Sequence, residues 1–400
     1  MNTLLLKIDC EGRKISNNQP NSPDIENWLR LIRADGVGST TFAKLLKRFR
    51  SVQRALGASV SELAKIDGIG FKTAERIARS TDKFNTKKEL ALAAKLGVWI
   101  INAADKRYPP ALKQIYDPPP VLYVKGTLER ADSLAIAIVG SRRHSTYGAE
   151  QASRFAHMLA SAGFTIVSGM ARGIDTAAHR GALSASGRTI AVQGCGLANV
   201  FPPENKKLYG LITDSGACMS ELPLEYEALS ENFPPRNRII SGLAMGVIVI
   251  EASAKSGALI TVKAALGQNR EVMVVPGKID SPISVGSHRL IKEGARLVDC
   301  VEDVMETLGY IGEDLKGHAA SAAEKAQADV ERPLFDVGRL NLSPAERAIY
   351  DCLGREPMHV DEVIVGTGLG AGKVNSGLIS LRLKGLIKQQ PGNLFKTTFR

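Results

Sequence analysis

The chain has 400 residues, 44% of them hydrophobic, and a formal net charge of +11. This length predicts two or three domains, because one core rarely serves so many residues. No apolar run approaches the roughly eighteen residues of a membrane span, and the N-terminal apolar stretch is too short for a signal peptide, so we expect a cytoplasmic protein without membrane contact. The five cysteines are dispersed without a C-x-x-C pair, which argues against a disulfide framework and a zinc site. The positive charge favours an acidic partner such as nucleic acid.

Residues 1–24 are polar and predict a flexible tail, and residues 25–85 then carry one short pattern twice. GVGSTTFAKLL and GIGFKTAERI each place Gly-x-Gly before an amphipathic helix, which is the signature of a helix-hairpin-helix. The exposed N–H groups at the second helix start of such a hairpin can hold a DNA phosphate. Residues 36–90 contain twelve Lys or Arg against five Asp or Glu, which favours DNA contact. A helical packing module with merely solvated charges remains an alternative.

Two strand-glycine-helix units follow one another between Leu134 and His179. LAIAIV is followed by GSRRHSTYG and a helix, and FTIV is followed by SGMARGID. Two such units predict one edge of a doubly wound parallel sheet, with both turns at the carboxyl ends of the strands, where such sheets bind ligands. An arginine in each turn favours a phosphate-rich ligand. Glycines that only make tight turns are one alternative, and a nicotinamide site is a weaker one because no G-x-G-x-x-G follows the first strand.

The strand pattern continues almost to residue 300. LGVWIIN predicts a strand, RYPPALKQIYDPPPVLYVKG predicts an irregular segment draped over the sheet domain, and further strands are predicted at 189–192, 218–222, 247–250, 271–275 and 296–298. Strands alternating with helices indicate a parallel sheet with right-handed crossovers, whose ligand rim collects the turns after the strands. The residues expected at this rim are Gly140, Ser141, Arg142, Arg143, Ser168, Gly169, Arg172, Ser256, Gly257, Thr261, Lys263, Pro276 and Gly277.

The segment FPPRNRIISG precedes the strand at 247–250 and adds charge and an aromatic ring. Arg236 and Arg238 suit bidentate contact with phosphate, and Asn237 can pair with a base edge or brace a loop. Phe233 can stack on a base. The alternative is that Phe233 belongs to the core and that an arginine of this segment pairs with Glu221 or Glu231.

Several residues near the rim invite a catalytic interpretation, but none completes a catalytic set. Asp175 and His179 are four residues apart on a predicted helix, yet an acidic residue at a helix start is ordinary. Cys195 lies between glycines without a neighbouring histidine that would activate it. We therefore assign no catalytic residue, metal or cofactor. An enzyme of nucleotide or phosphoribosyl metabolism using the same rim remains the alternative function, and a structural adaptor is a third.

Residues 313–339 have the composition of a flexible linker, and residues 340–400 predict three helices followed by two short strands, the pattern of a winged helix. From Val363 onwards the chain has basic residues and no acidic one, which makes DNA binding by the third helix plausible. The alternatives for this third helix are a contact with protein and a purely structural role, because much of the helix is leucine.

The motifs IVGSR, SGMARGIDTAAH, FPPRNRIISG, EASAKSGALIT and VPG occur in this order and resemble those of the DNA-processing protein A family, also called DprA or Smf. The resemblance covers about residues 25 to 400. It implies an N-terminal helix-hairpin-helix (SAM-like) domain at 25–85, a Rossmann-like DNA-binding domain at 86–312 and a C-terminal winged helix. It also implies a cytoplasmic protein, not known as an enzyme, that binds and protects single-stranded DNA and loads the recombinase RecA in natural transformation. A homodimer through the Rossmann-like domain is expected.

Two positions depart from the family pattern. His288 stands where family members usually have Asn, which puts any contact there in doubt, and FPPEN at 201–205 replaces a commoner Tyr-Pro start.

Overall fold

The computed structural model describes residues 21–309, 342–354, 356–383, 386–390 and 394–397, without the side chains of 379, 383 and 388–390. The predicted linker and nearly all of the predicted tail lie outside the described residues. Six helices, here called the hairpin module, open the described chain: α1 Ile25–Ile32, α2 Ser39–Phe49, α3 Val52–Leu56, α4 Val60–Leu63, α5 Phe71–Ser80 and α6 Thr86–Leu96.

The two predicted hairpins are confirmed, with turns between α1 and α2 and between α4 and α5. Gly36 (φ +92°) and Gly68 (φ +79°) begin these turns in the left-handed region, where a side chain is strained. Each turn packs on the second helix of the other hairpin. Gly36 lies against Thr73 of α5, and Lys44 of α2 donates to the carbonyl of Asp67 at 2.8 Å. The repeat in the sequence therefore becomes a pair of hairpins that brace one another.

A nine-stranded sheet forms the centre of the molecule, in the order β1-β2-β6-β5-β4-β3-β7-β8-β9. Its strands are β1 Val98–Asn102, β2 Val121–Gly126, β3 Ala135–Val139, β4 Thr165–Ser168, β5 Thr189–Val192, β6 Ala217–Ser220, β7 Gly246–Val249, β8 Glu271–Val274 and β9 Arg296–Leu297. The seven strands from β3 to β9 are parallel, as predicted, because each follows a crossover that contains a helix. The strand order reverses between β3 and β7, which is where doubly wound sheets bind ligands.

The proline-rich segment before β3 is more regular than the sequence predicts. It contains a short helix, α7 (Pro110–Lys113), and its VLYVKG run is strand β2, paired antiparallel with both β1 and β6. The expectation of an irregular covering segment is wrong here, since the prolines stop just before an alternating β-branched and aromatic run that pairs with an open sheet edge.

Helices cover both faces of the sheet and bury its apolar strands. They are α8 Thr146–Ser161, α9 Ile174–Ser184, α10 Lys206–Ser215, α11 Phe233–Leu243, α12 Ala258–Gly267, α13 Val285–Lys292 and α14 at 301–309. Residues on opposite faces of β3 enter different cores: Ala137 packs in one with Ile239 of α11, and Ile138 in the other with Phe155 of α8. This alternation explains why the strand is apolar throughout.

The hairpin module and the sheet share one apolar core. Trp28 and Leu29 of α1 belong to the same buried cluster as Ile100 of β1 and Tyr123 of β2. The boundary predicted between residues 85 and 86 therefore passes through a continuous core.

The C-terminal segment folds as the predicted winged helix. Its elements are β10 Met358–His359, β11 Ile387–Gln390, β12 Leu394–Thr397, α15 Pro344–Cys352, α16 Val360–Thr367 and α17 Ala371–Leu383. α15 begins with a capping box in which Ser343 and Glu346 each accept from the backbone N–H of the other. Leu378 and Leu381 of α17 are buried in a separate small core, which explains the leucine content of that helix.

Candidate nucleic-acid interface

Four chain segments meet at the carboxyl edge of the sheet and enclose a small pocket, here called the rim pocket. They are the loop after β3, the turn after β4, the loop after β5 and the start of α11. The pocket has a volume of about 40 Å³ and is lined by Arg142, Gly169, Ala171, Arg172, Phe201, Pro202 and Phe233. This volume suits one or two water molecules. The pocket is therefore too small to enclose a nucleotide.

Glycines at the rim pocket are required by close backbone packing. A Cβ atom on Gly140 would lie 2.6 Å from Ile174, and one on Gly173, whose φ is +84°, would lie 2.4 Å from the carbonyl of Ser141. The turns after β3 and β4 are thus pressed together. Close packing is therefore one role of these glycines, and it coexists with a cationic rim.

Arg236 lies beneath the pocket and not at its surface. Its side chain is buried, and Nη1 donates to the carbonyls of Gly169, at 2.7 Å, and Val192. Asp175 accepts the backbone N–H groups of Gly169 (3.1 Å) and Ala171 (3.2 Å). Burial lowers the pKa of Arg236 to about 10, which leaves it charged at neutral pH. Arg236 and Asp175 thus fix the turn after β4. The sequence predicts that Arg236 contacts phosphate, but the structure buries it against backbone carbonyls.

Arg142 and Phe233 form the accessible part of the pocket. The exposed guanidinium of Arg142 lies 5.2 Å from the centre of the Phe233 ring, within the range of a cation–π contact. Phe233 is half-buried, and its ring centre is 5.5 Å from that of Phe201. Among the described residues, Arg142 has no hydrogen-bond or ion-pair partner. Its guanidinium is therefore available to bind an anion.

Arg172, the second predicted cation of the turns, has a carboxylate partner. Its Nε and Nη2 donate to the two oxygens of Glu204, with an Nη2–Oε2 distance of 3.1 Å. Both side chains are more than half exposed, at 59% and 52%. The hydrogen bond to Glu204 raises the pKa of Arg172, and the same contact lowers the pKa of Glu204.

Arg238 points away from the rim pocket. It donates to Asp117 at 2.8 Å, to Glu221 at 2.7 Å and to the hydroxyl of Ser39 at 3.1 Å. The pairing with Glu221 that the sequence left open is thus present. Arg238 connects α11 to the start of α2, and its guanidinium therefore helps to hold the hairpin module against the sheet.

The remaining predicted residues divide into backbone supports and exposed groups. The Ser141 hydroxyl bonds to the backbone of Arg143, the Ser168 hydroxyl donates to the Ile138 carbonyl, and Thr261 is buried. The exposed or half-exposed members are Arg143, Asn237, Ser256, Gly257, Lys263, Pro276 and Gly277. The amide of Asn237 reaches the Gly257 carbonyl at 3.5 Å, which brings the start of α11 to the loop before α12.

The groups weighed as catalytic candidates are buried and held by other contacts. Nδ1 of His179 lies 2.7 Å from the Thr189 hydroxyl, which itself donates to the carbonyl of Ile166. Burial lowers the pKa of His179 to about 3 and raises that of Cys195 to about 11. A buried imidazole with so low a pKa is a weak base, and a buried thiol that stays protonated is a weak nucleophile at neutral pH.

Comparison with known proteins adds an independent observation. The family model described as DNA recombination-mediator protein A matches residues 99–309, the DprA-like N-terminal HHH domain matches 24–77, and the DprA winged helix domain matches 320–393. Protein Smf of Escherichia coli (strain K12) is 36% identical over 371 residues, which are 92% of this chain and 95% of that protein. The chain belongs to the DprA/Smf family.

Two further DprA/Smf relatives agree in sequence and in structure. Protein Smf of Synechocystis is 33% identical over 384 residues, covering 91% of this chain and 96% of that protein. The X-ray structure of DNA processing protein A from Streptococcus pneumoniae superposes with a TM-score of 0.63 at 36% identity, covering 70% of this chain and 97% of that one. Among the described residues of this DprA/Smf member, every helix is too short or too polar to cross a bilayer.

The two departures from the DprA/Smf pattern have structural consequences. Nε2 of His288 lies 3.1 Å from the Gly277 carbonyl, so the histidine holds the loop after β8. In FPPEN, the ring of Phe201 packs at a tilt against that of Phe233, Glu204 pairs with Arg172, and the amide of Asn205 donates to the Met170 carbonyl at 3.1 Å. The sequence reasoning treated this segment as a mild variation and missed its place in the pocket. Its position in the loop after β5, four residues beyond the QGCG turn at 193–196, was the available signal.

Glu251 is a second residue that the sequence reasoning missed. It is buried at the end of β7, where its carboxylate accepts the backbone N–H of Ser145 at 2.9 Å and the hydroxyl of the same residue at 2.5 Å. Its backbone carbonyl accepts the N–H of Ser141 at 2.7 Å. Glu251 therefore fixes the loop that carries Arg142. Its negative carboxylate also lies at the N-terminus of α8, where the helix dipole is positive.

Proposed function

We propose that this DprA/Smf member binds single-stranded DNA over the rim pocket without chemistry and presents it to a RecA-type recombinase in the cytoplasm. The observation that carries the proposal is the exposed Arg142 guanidinium over the Phe233 ring. A cation beside an accessible aromatic ring suits a strand whose bases are free to stack and whose phosphates are close by. A duplex keeps its bases stacked internally and gains less from such a ring.

The DprA/Smf family model is described as a recombination mediator, which supports delivery of the strand to a recombinase. We expect this protein to shorten the lag before a RecA-type recombinase hydrolyses ATP on single strands already covered by a single-strand-binding protein. An unchanged lag in a protein that binds DNA would limit its role to protecting the strand.

Assembly into a homodimer through the sheet domain is part of the proposal. The β1 edge of the sheet is covered, since the N–H of Ser22 donates to the Ile100 carbonyl at 2.9 Å. At the other edge, β9 is paired on one side only within the described residues, and Leu297 is 43% exposed there. An open edge with an exposed leucine favours pairing with a second copy. The mass in solution of a Leu297→Lys variant, compared with that of the wild type, tests this edge.

The binding proposal is tested with Arg142→Ala and a matched control, Arg130→Ala. Arg130 is also exposed, but it precedes β3 and therefore lies at the amino ends of the parallel strands, away from the rim pocket. We expect Arg142→Ala to weaken binding of an oligothymidylate by about tenfold and to flatten the log–log salt dependence by about 0.7, the value for one phosphate contact on a single strand. Arg130→Ala should leave both quantities unchanged.

Two results would contradict the proposal. Unchanged affinity and slope in Arg142→Ala would remove the rim pocket from the interface. Release of base or phosphate from nucleotides in excess of the protein concentration, abolished by the same variant, would favour the alternative of a nucleotide-processing enzyme.

A further inference from the structure

Arg172 and Arg142 border the same rim pocket, yet only Arg172 has a carboxylate partner there among the described residues. Nε and Nη2 of Arg172 form one edge of the guanidinium fork, and both face the Glu204 carboxylate. A phosphate binds a guanidinium through the same edge with the same two parallel hydrogen bonds. Glu204 and a DNA phosphate therefore compete for the same pair of donors.

The position of Glu204 does not depend on its pairing with Arg172. Its neighbour Asn205 is buried, and the Asn205 amide donates to the Met170 carbonyl at 3.1 Å and to the Thr176 hydroxyl at 2.8 Å. Phe201, at the start of the same segment, packs against Phe233 with the two rings tilted. These contacts hold the backbone of the segment beside the turn after β4. The carboxylate is consequently presented to Arg172 by a fixed support.

We propose that Glu204 limits the affinity of the rim for DNA: its carboxylate occupies the phosphate-binding edge of Arg172, so that Arg172 contributes fully only when Glu204 is displaced or neutralised. The inference rests on the proposed function, since it concerns the same rim. An exposed ion pair is weak, so the competition lowers affinity by a few-fold and does not abolish binding. Such a residue would help a DNA-handling protein release the strand to the next protein.

The experiment measures oligothymidylate binding by the full chain across a salt series, by fluorescence anisotropy. Glu204→Gln removes the charge and retains the side-chain volume. The matched control is Glu129→Gln, which removes another half-exposed carboxylate paired with an arginine, Arg188, at 2.8 Å. Glu129 precedes β3 and lies at the amino ends of the parallel strands, away from the rim pocket. Its substitution therefore measures how much the loss of one negative charge from the whole molecule changes DNA affinity.

We expect Glu204→Gln to bind about three- to fivefold more tightly than the wild type, the range set by a weak surface ion pair. Its salt slope should steepen by about 0.7, the value for one additional phosphate contact. Arg172→Ala should weaken the wild type by about twofold and the Glu204→Gln variant by about six- to tenfold, because only the second contains an unopposed Arg172. The two substitutions should thus be coupled in a double-mutant cycle.

Two outcomes overturn the inference: a Glu204→Gln protein that binds no more tightly than Glu129→Gln, or losses from Arg172→Ala that are equal in both backgrounds. Either result can occur while Arg142→Ala still weakens binding, in which case the proposed function stands and only the role of Glu204 falls. Equal thermal midpoints of Glu204→Gln and the wild type show that the fold is retained, as the Asn205 contacts lead us to expect. If Arg142→Ala also has no effect, the proposed function itself is contradicted.

Discussion

The rim pocket and the hairpin module both contain arginine or lysine beside glycine turns, but they use these charges differently. In the hairpin module, several cations are paired within the module: Lys44 lies 3.6 Å from Asp67, Lys83 lies 2.7 Å from Asp35, and Arg30 lies 2.5 Å from Asp82. At the rim pocket, Arg142 rests on an aromatic ring and has no acidic partner among the described residues.

We infer from this difference that local net charge alone does not locate an interface. The module has an excess of positive residues, yet the start of α2 is committed to the sheet domain through the contact between Arg238 and Ser39, and Arg33 donates to the Glu221 carbonyl at 2.6 Å. An unpaired cation beside a stacking surface counts for more than a larger number of paired ones. We therefore expect affinity and single-strand preference to depend on the rim pocket.

The largest difference between the two regions should appear in stability. A Cβ atom at Gly169 would lie 2.7 Å from both Arg236 and Asp175, so Gly169→Ala should displace two buried side chains that hydrogen-bond to the turn and lower the free energy of unfolding by about 3 kcal/mol. Gly70, at the start of α5, has no atom within 4 Å of its Cβ position among the described residues. Because Gly70 is the N-cap residue of α5, Gly70→Ala should lower the free energy of unfolding by about 1 kcal/mol or less. Urea denaturation of both variants checks this, and equal losses would show that the rim is no more tightly packed than the hairpin.

Acid should affect the rim side of the molecule selectively. His179 lies in the helix after the rim turn, and its pKa is lowered to about 3, whereas residues 25–96 contain no histidine. In the unfolded chain this histidine binds a proton near pH 6.5, whereas in the folded chain it stays neutral down to about pH 3. The contribution of neutral His179 to the free energy of unfolding is therefore present above pH 6.5 and falls as the pH drops towards 3.

The wild type should therefore lose about 2–3 kcal/mol more than His179→Asn between pH 7 and pH 4. Asparagine retains a donor for the Thr189 hydroxyl and does not titrate. Urea denaturation at a series of pH values measures the difference. Parallel pH profiles for the two proteins would show that His179 does not carry the acid sensitivity.

The smallest of the three effects compares two phenylalanines. Phe233 is half-buried at the rim pocket, and Phe71 is 62% exposed at the start of α5. Phe233→Leu should weaken single-strand binding by about 1–2 kcal/mol at about 150 mM salt without changing the salt slope, because stacking is lost and no phosphate contact is. Phe71→Leu should change affinity by less than twofold. A larger loss in Phe71→Leu than in Phe233→Leu would place the site in the hairpin module.

Much of the fold could be predicted because its signals are local. The glycines at 36 and 68 and the apolar strand before Gly140 act within a few residues, and both are found where the pattern predicted them. Strand β2 was missed because its pairing partners, β1 and β6, are distant in sequence. The common core of the hairpin module and the sheet was missed for the same reason, since it is formed by contacts that no local pattern records.

By itself, the sequence determined the doubly wound sheet, the paired hairpins, the winged helix and the edge at which the arginine-bearing turns collect. Periodicity and glycine positions control these features, and both act over short stretches. Only the tertiary structure decided what each rim arginine does. Arg142, Arg172, Arg236 and Arg238 have the same side chain, yet one is free among the described residues, one faces Glu204, one is buried against carbonyls and one joins two domains. The role of a cation depends on partners brought near by folding, and the partners named above lie from 17 to 199 residues away in the chain.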